Sequence, residues 1–108
     1  MVDQGQAGHA DDMVTLHIEH SVSDFDTWRT AFTRFADRRR QAGVRGHVVR
    51  RPVDDQHYLS IDLEFAEVEQ AVAFEQFLRN HVWADPASSP ALRGTPTTSI
   101  LQDEDVES

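Results

Sequence analysis

The feature that most limits what this chain can fold into is the order in which its apolar residues change period. Val14, Leu16 and Ile18 alternate with Thr15, His17 and Glu19, and a period of two belongs to a strand with one buried face. From Phe25 the spacing lengthens, with Phe25, Trp28, Phe32, Phe35 and Ala36 recurring at three and four and Gly43 standing where a helix stops. This predicts a helix over roughly 24 to 42. "RGHVVRRP", 45–52, reads as a short strand closed by proline, "VDDQ" as a turn, and "HYLSIDLEF", 57–65, as a strand with Leu59, Ile61, Leu63 and Phe65 on one face. Helical spacing returns through Val68, Ala71, Val72, Phe74, Leu78 and Val82. The Pro- and Ser-rich "ADPASSPALRGTP" reads as a connection with room for one helical turn, and "TPTTSIL" as a β-branched final strand.

The order βαββαβ, with two helices covering one apolar sheet face, predicts an α+β sandwich of ferredoxin-like type built on a four-stranded antiparallel sheet. A chain of 108 residues, 39% of them hydrophobic, suits one core. The expected organisation is a domain over 13–102 between a solvated N-terminal tail, 1–12, and an acidic C-terminal tail, 103–108.

Composition then excludes chemistries. Acidic residues outnumber basic ones 19 to 10, a formal charge of -9, so a nucleic-acid or anionic-membrane partner is not expected. Every basic residue is arginine and cysteine is absent; lysine Schiff bases, disulfides, thiolate metal sites and cysteine nucleophiles are therefore ruled out. Neither a leader-like N-terminus nor an apolar run of roughly 18 residues is present, which makes the cytoplasm the expected compartment. No glycine-rich phosphate loop, nucleophile elbow or HExxH motif occurs.

Three stretches carry a family resemblance: "HSVSDFDTW", with His20, Val22, Asp24, Phe25, Asp26 and Trp28; "RRRQAGVRGHVV"; and "LEF" closing the third strand. Over about residues 13 to 102 the chain resembles the dimeric α/β-barrel superfamily, and within it the small proteins related to antibiotic-biosynthesis monooxygenases. The resemblance implies a homodimer whose protomers pack their open sheet faces around a cavity. It implies no single activity, since that superfamily includes cofactor-independent oxygenases, haem-degrading oxygenases, isomerases and proteins without a known reaction.

Within "HSVSDFDTW", Ser23 or Asp24 suits a helix N-cap, Asp26 complements the helix dipole, and Trp28 lies on the apolar stripe. His17 and His20 are three apart on a strand and point to opposite faces, so no shared metal is expected. His20 has the parity of the core residues and is expected to pack at the strand end.

The face opposite the core carries Thr15, His17 and Glu19 on strand one and Tyr58, Ser60, Asp62 and Glu64 on strand three. These strands neighbour each other in a ferredoxin-like sheet, which brings a histidine near a carboxylate and a phenol. His17 is the candidate base, oriented by Asp62 or Glu19, with Tyr58 or Arg50 stabilising an oxyanion. Ser60 and Glu64 are candidate ligand contacts. Strand two is ambiguous: Val48 and Val49 are adjacent, so either His47 and Arg51 or Arg50 faces the cavity, where an arginine suits a carboxylate or phenolate. Six arginines between Arg38 and Arg51 read as complementing a helix dipole.

Asn80, His81 and Trp83 in "RNHVW" are too close in sequence to build the haem site of the haem-degrading relatives. No cofactor is expected. The leading expectation, with its class taken from the resemblance, is a cofactor-independent monooxygenase-like or cyclase-like protein acting on a small aromatic or polyketide-like molecule in a dimer cavity. The alternative is a non-catalytic ligand-binding or dimerisation protein.

Overall fold

A computed structural model describes residues 13–106. The tail at 1–12 and the last two residues of the acidic tail lie outside the described residues. A four-stranded antiparallel sheet has the order β2-β3-β1-β4, formed by β1 (Val14–Val22), β2 (Gly46–Arg50), β3 (Tyr58–Phe65) and β4 (Leu92–Gln102). In the centre, Leu16 pairs with Leu63, Ile18 with Ile61 and His20 with Leu59. Directly opposed residues point to the same side, and all six are buried. Phe65, Ala71 and Phe74 complete the core under the helices.

The helix predicted over 24–42 is two: α1 (Phe25–Arg34) and α2 (Ala36–Gln41). Asp24, rather than Ser23, caps α1, its carboxylate accepting from the Thr27 amide at 2.9 Å. The break falls at Phe35, whose amide turns back to the Phe32 carbonyl at 3.2 Å. That carbonyl also accepts from the Arg39 guanidinium, so a side chain from α2 satisfies one of the acceptors a helix end leaves open. Gly43 ends α2 at φ +99, with the Val44 amide reaching back to Arg39 O, the left-handed closure that favours glycine.

The second predicted helix is α3 (Val68–Phe77), opened by a Glu67/Gln70 capping box and continued by a π-helical turn, Leu78–Val82. β4 starts earlier than "TPTTSIL" because Leu92 and Arg93 already pair with Val22 and Ser21. A register shift opposite Glu19–Ser21, with Gly94 at φ +72, joins the two stretches. Among the described residues no helix is long and apolar enough to cross a membrane.

Candidate functional site

Both sides of the sheet carry polar chemistry. On the side away from the helices, β1 and β3 set His17 opposite Asp62, Glu19 opposite Ser60 and Ser21 opposite Tyr58. The β2 register places Val48 opposite Asp62 and Arg50 opposite Ser60, which resolves strand two in favour of Arg50. His47 pairs with Leu63 on the helix side, its ring 5.2 Å from Phe32, and Arg51 lies 4.2 Å over the Phe25 ring. The expected ligand contact at His47 on the open face is therefore corrected: its parity turns it to the helix side of the sheet, where it stays exposed at the edge.

Five side chains join in a row across this open face. Arg50 donates to Asp62 Oδ2 at 3.0 Å, and Asp62 Oδ1 lies 2.6 Å from His17 Nδ1. His17 Nε2 lies 2.8 Å from Glu19 Oε2, and the Tyr58 hydroxyl donates to Glu19 Oε1 at 2.8 Å. Ser60 and Glu64 share the face without entering these bonds. The hydrogen bonds to Glu19 and then Asp62 lift the His17 pKa above the usual imidazole value. His17 in turn, with Tyr58, holds the Glu19 carboxyl low, and Glu19 pushes the Tyr58 phenol up. A ring facing a carboxylate at both nitrogens is an imidazolium donating twice. In that form both ring nitrogens are engaged as donors.

Beneath the helices lies a cavity of about 70 Å³ that the period analysis did not anticipate. Its walls are apolar: Ile18 and Ile61 from the sheet, Trp28 and Phe32 stacked at 4.8 Å on α1, and Phe77 and Trp83. Four polar side chains enter this lining, Ser88, Ser89, His20 and Arg39, the last two 4% and 8% exposed. His20 Nδ1 is 2.9 Å from Ser21 O, which fixes the proton on Nδ1 and leaves Nε2 as an acceptor. Among the described residues nothing donates to that nitrogen. Burial pushes the His20 pKa down, so the ring is neutral near pH 7.

Arg39 lies 3.6 Å over the Phe32 ring, and burial works against its charge too. No carboxylate among the described residues forms an ion pair with it, whereas Arg29, Arg40, Arg50 and Arg79 each have one. The signal for both residues was in the sequence. His20 has core parity, and Arg39 continues the Trp28, Phe32, Phe35 stripe by one more step of four.

A cavity of this size holds a few waters, well short of the roughly 300 Å³ at the small end of ligand pockets. The π-helical turn, through Leu78 and Val82, and the Ser88–Leu92 stretch contribute to its lining. His81 stands 5.6 Å from Phe77 on that turn. The described residues contain no group of three or more His, Asp or Glu side chains arranged to hold a metal ion.

Strand order, helix placement and the bare sheet face define the ferredoxin-like α+β class. Solved structures place it more narrowly. SnoaB, a cofactor-independent oxygenase from Streptomyces nogalater, superposes with a TM-score of 0.65 at 18% identity, over 88% of this chain and 96% of its own. A candidate antibiotic biosynthesis monooxygenase from Nitrosomonas europaea gives 0.64 at 12%, over 85% and 90%. A dimeric ferredoxin-like protein from an uncultured marine organism gives 0.62 at 11%, over 88% and 98%. No protein-family model and no curated protein matches the sequence. The chain has the fold of the antibiotic-biosynthesis-monooxygenase-like, dimeric ferredoxin-like proteins.

Proposed function

We propose that this is a cytoplasmic homodimer that binds a small aromatic or polyketide-like molecule and acts on it as a cofactor-independent monooxygenase-like or cyclase-like protein. The observation that carries the reading is the apolar cavity with a buried, neutral imidazole in its wall, whose Nε2 has no donor among the described residues. His20 is placed to take a proton from an acidic C–H or O–H, and the Arg39 charge stabilises the anion left behind. Such an anion is itself the electron donor to dioxygen. The likeness of the fold to a cofactor-independent oxygenase supports this chemistry.

The open face is proposed as the dimer interface, as dimeric neighbours support. Its row balances two cations, Arg50 and His17, against two anions, Asp62 and Glu19, so the row itself can be covered without burying net charge. In this reading Tyr58, Glu19, His17, Asp62 and Arg50 hold the interface together, and proton abstraction moves from His17 to His20. The non-catalytic alternative draws on one fact, the small volume of the cavity as it stands.

Titration with 2-naphthol, followed by quenching of Trp28 and Trp83, tests whether the cavity takes a ligand at all. Saturable quenching is expected, and its absence up to the solubility limit would leave only the dimerisation protein. With a hydroxyaromatic substrate in hand, His20→Ala should lower kcat, read as oxygen uptake, by about 10²- to 10⁴-fold. A sedimentation profile showing only monomer at micromolar concentration would remove the interface.

A further inference from the structure

Resting on the dimer reading above, we infer that the row at His17 is a proton-operated latch on a second copy of this chain: two open faces pack together while His17 carries its proton and part as it is released. The wiring of the row is the starting point. His17 Nδ1 meets Asp62 Oδ1 at 2.6 Å and His17 Nε2 meets Glu19 Oε2 at 2.8 Å, while Asp62 Oδ2 accepts from Arg50 and Glu19 Oε1 from Tyr58. Every carboxylate oxygen of the row thus has a donor within one protomer, so a second copy can cover it without supplying a partner. A neutral ring has one N–H to share between two carboxylates. Losing the proton strips one oxygen of its donor and leaves Asp62 and Glu19 against Arg50 alone.

The charges on the rest of the face decide the sign. Beside His17 and Glu19 from β1 stand Asp62, Glu64 and the Tyr58 phenol from β3 and Arg50 from β2. β4 sets Ser99 opposite His17 and Thr97 opposite Glu19, with Arg93 opposite Ser21 beyond the register shift. With His17 protonated, the cations Arg50, Arg93 and His17 match the anions Asp62, Glu19 and Glu64; without that proton each face has an anion in excess, and a two-fold dimer brings two such faces together. An unmatched charge loses its water on docking and gains no counter-charge, so the dimer holds the proton more firmly than the monomer does. By linkage, releasing the proton then drives the copies apart. Glu19 and then Asp62 already raise the His17 pKa within one chain, which sets the release on the alkaline side of the ordinary imidazole value. Val48 from β2 and Leu101 from β4, 40% and 49% exposed on the same face, supply apolar area for the contact. His20 faces the other side of the sheet, so its titration bears on the core and not on this surface.

The test is sedimentation equilibrium of the full chain from pH 6 to 9, with near-ultraviolet circular dichroism checking the fold at each pH. A preference of the dimer for the protonated ring of about ten-fold in each copy makes the dimer dissociation constant rise about 100-fold across this range. Glu19→Gln removes one anion and leaves the row balanced when the ring is neutral, so this variant should dimerise at pH 9 at least as tightly as at pH 6. His17→Gln should be as weak a dimer at pH 6 as the wild type is at pH 9. A wild-type dissociation constant indifferent to pH, or a Glu19→Gln variant that keeps the wild-type rise, overturns the inference while leaving the dimer in place. Monomer alone at every pH up to millimolar concentration overturns the dimer reading itself.

Discussion

Phe65→Ala is expected to lower the free energy of unfolding by about 3 to 5 kcal/mol. Phe65 is 0% exposed, pairs with Val14 at the end of β3, and sets its ring 6.0 Å from Phe74 on α3. It therefore joins the sheet to the helix that follows it. Truncation removes transfer free energy and leaves a void between two elements whose backbones are held by their own hydrogen bonds, so little collapse is available. A domain of this size has roughly 5 to 15 kcal/mol in total, which makes this one ring a large share of it. Urea denaturation should show a much lower midpoint with an unchanged slope. Val53→Ala, at a fully exposed turn position, should stay within about 0.5 kcal/mol of wild type. A loss below about 1 kcal/mol at Phe65 would mean that the core is not centred where the helices meet β3.

The second large effect is a stability maximum near the ordinary histidine pKa, produced by two histidines of opposite sign. His17 has a raised pKa in the folded protein. The unfolded chain gives up this proton first, so the stabilisation is complete below about pH 6.5 and is lost as pH rises through the folded value. His20 has a lowered pKa because burial disfavours its charge. Its contribution is complete above about pH 6.5 and is lost as pH falls, since the unfolded chain then binds a proton that the folded one resists. Urea midpoints measured from pH 5 to 9 should fall on both sides of that value. His17→Gln should flatten the alkaline side and His20→Gln the acid side. A midpoint indifferent to pH across this range, or the two variants acting on the wrong sides, would contradict the hydrogen-bonded row and the buried imidazole respectively.

The same pair shows how far the site was legible. A period of two assigns His17 and His20 to opposite faces, and the sheet order then sets His17 against Asp62. The neighbours of His17 were thus within reach of sequence reasoning. Its protonation was not, because that depends on Glu19 closing the second ring nitrogen from two residues along the same strand. Strand two shows a different limit: with Val48 and Val49 side by side, alternation gives no parity, and only pairing with β3 turns Arg50 out and His47 in. The division of the long helix at Phe35 was equally hidden, since the apolar stripe runs through the break without interruption.

What the sequence determined by itself was the element order, the covered face of the sheet and the β1 and β3 residues of the polar row, because these follow from spacing along a single chain and spacing is local. The helix-side cavity was decided by tertiary structure alone. It exists where Trp28, Phe32 and Arg39 from α1 and α2, Phe77 from α3, and Ile18, His20 and Ile61 from the sheet converge and do not quite fill the space between them. A gap of that kind is a property of how side chains from separate elements meet, and the chain records only the parts.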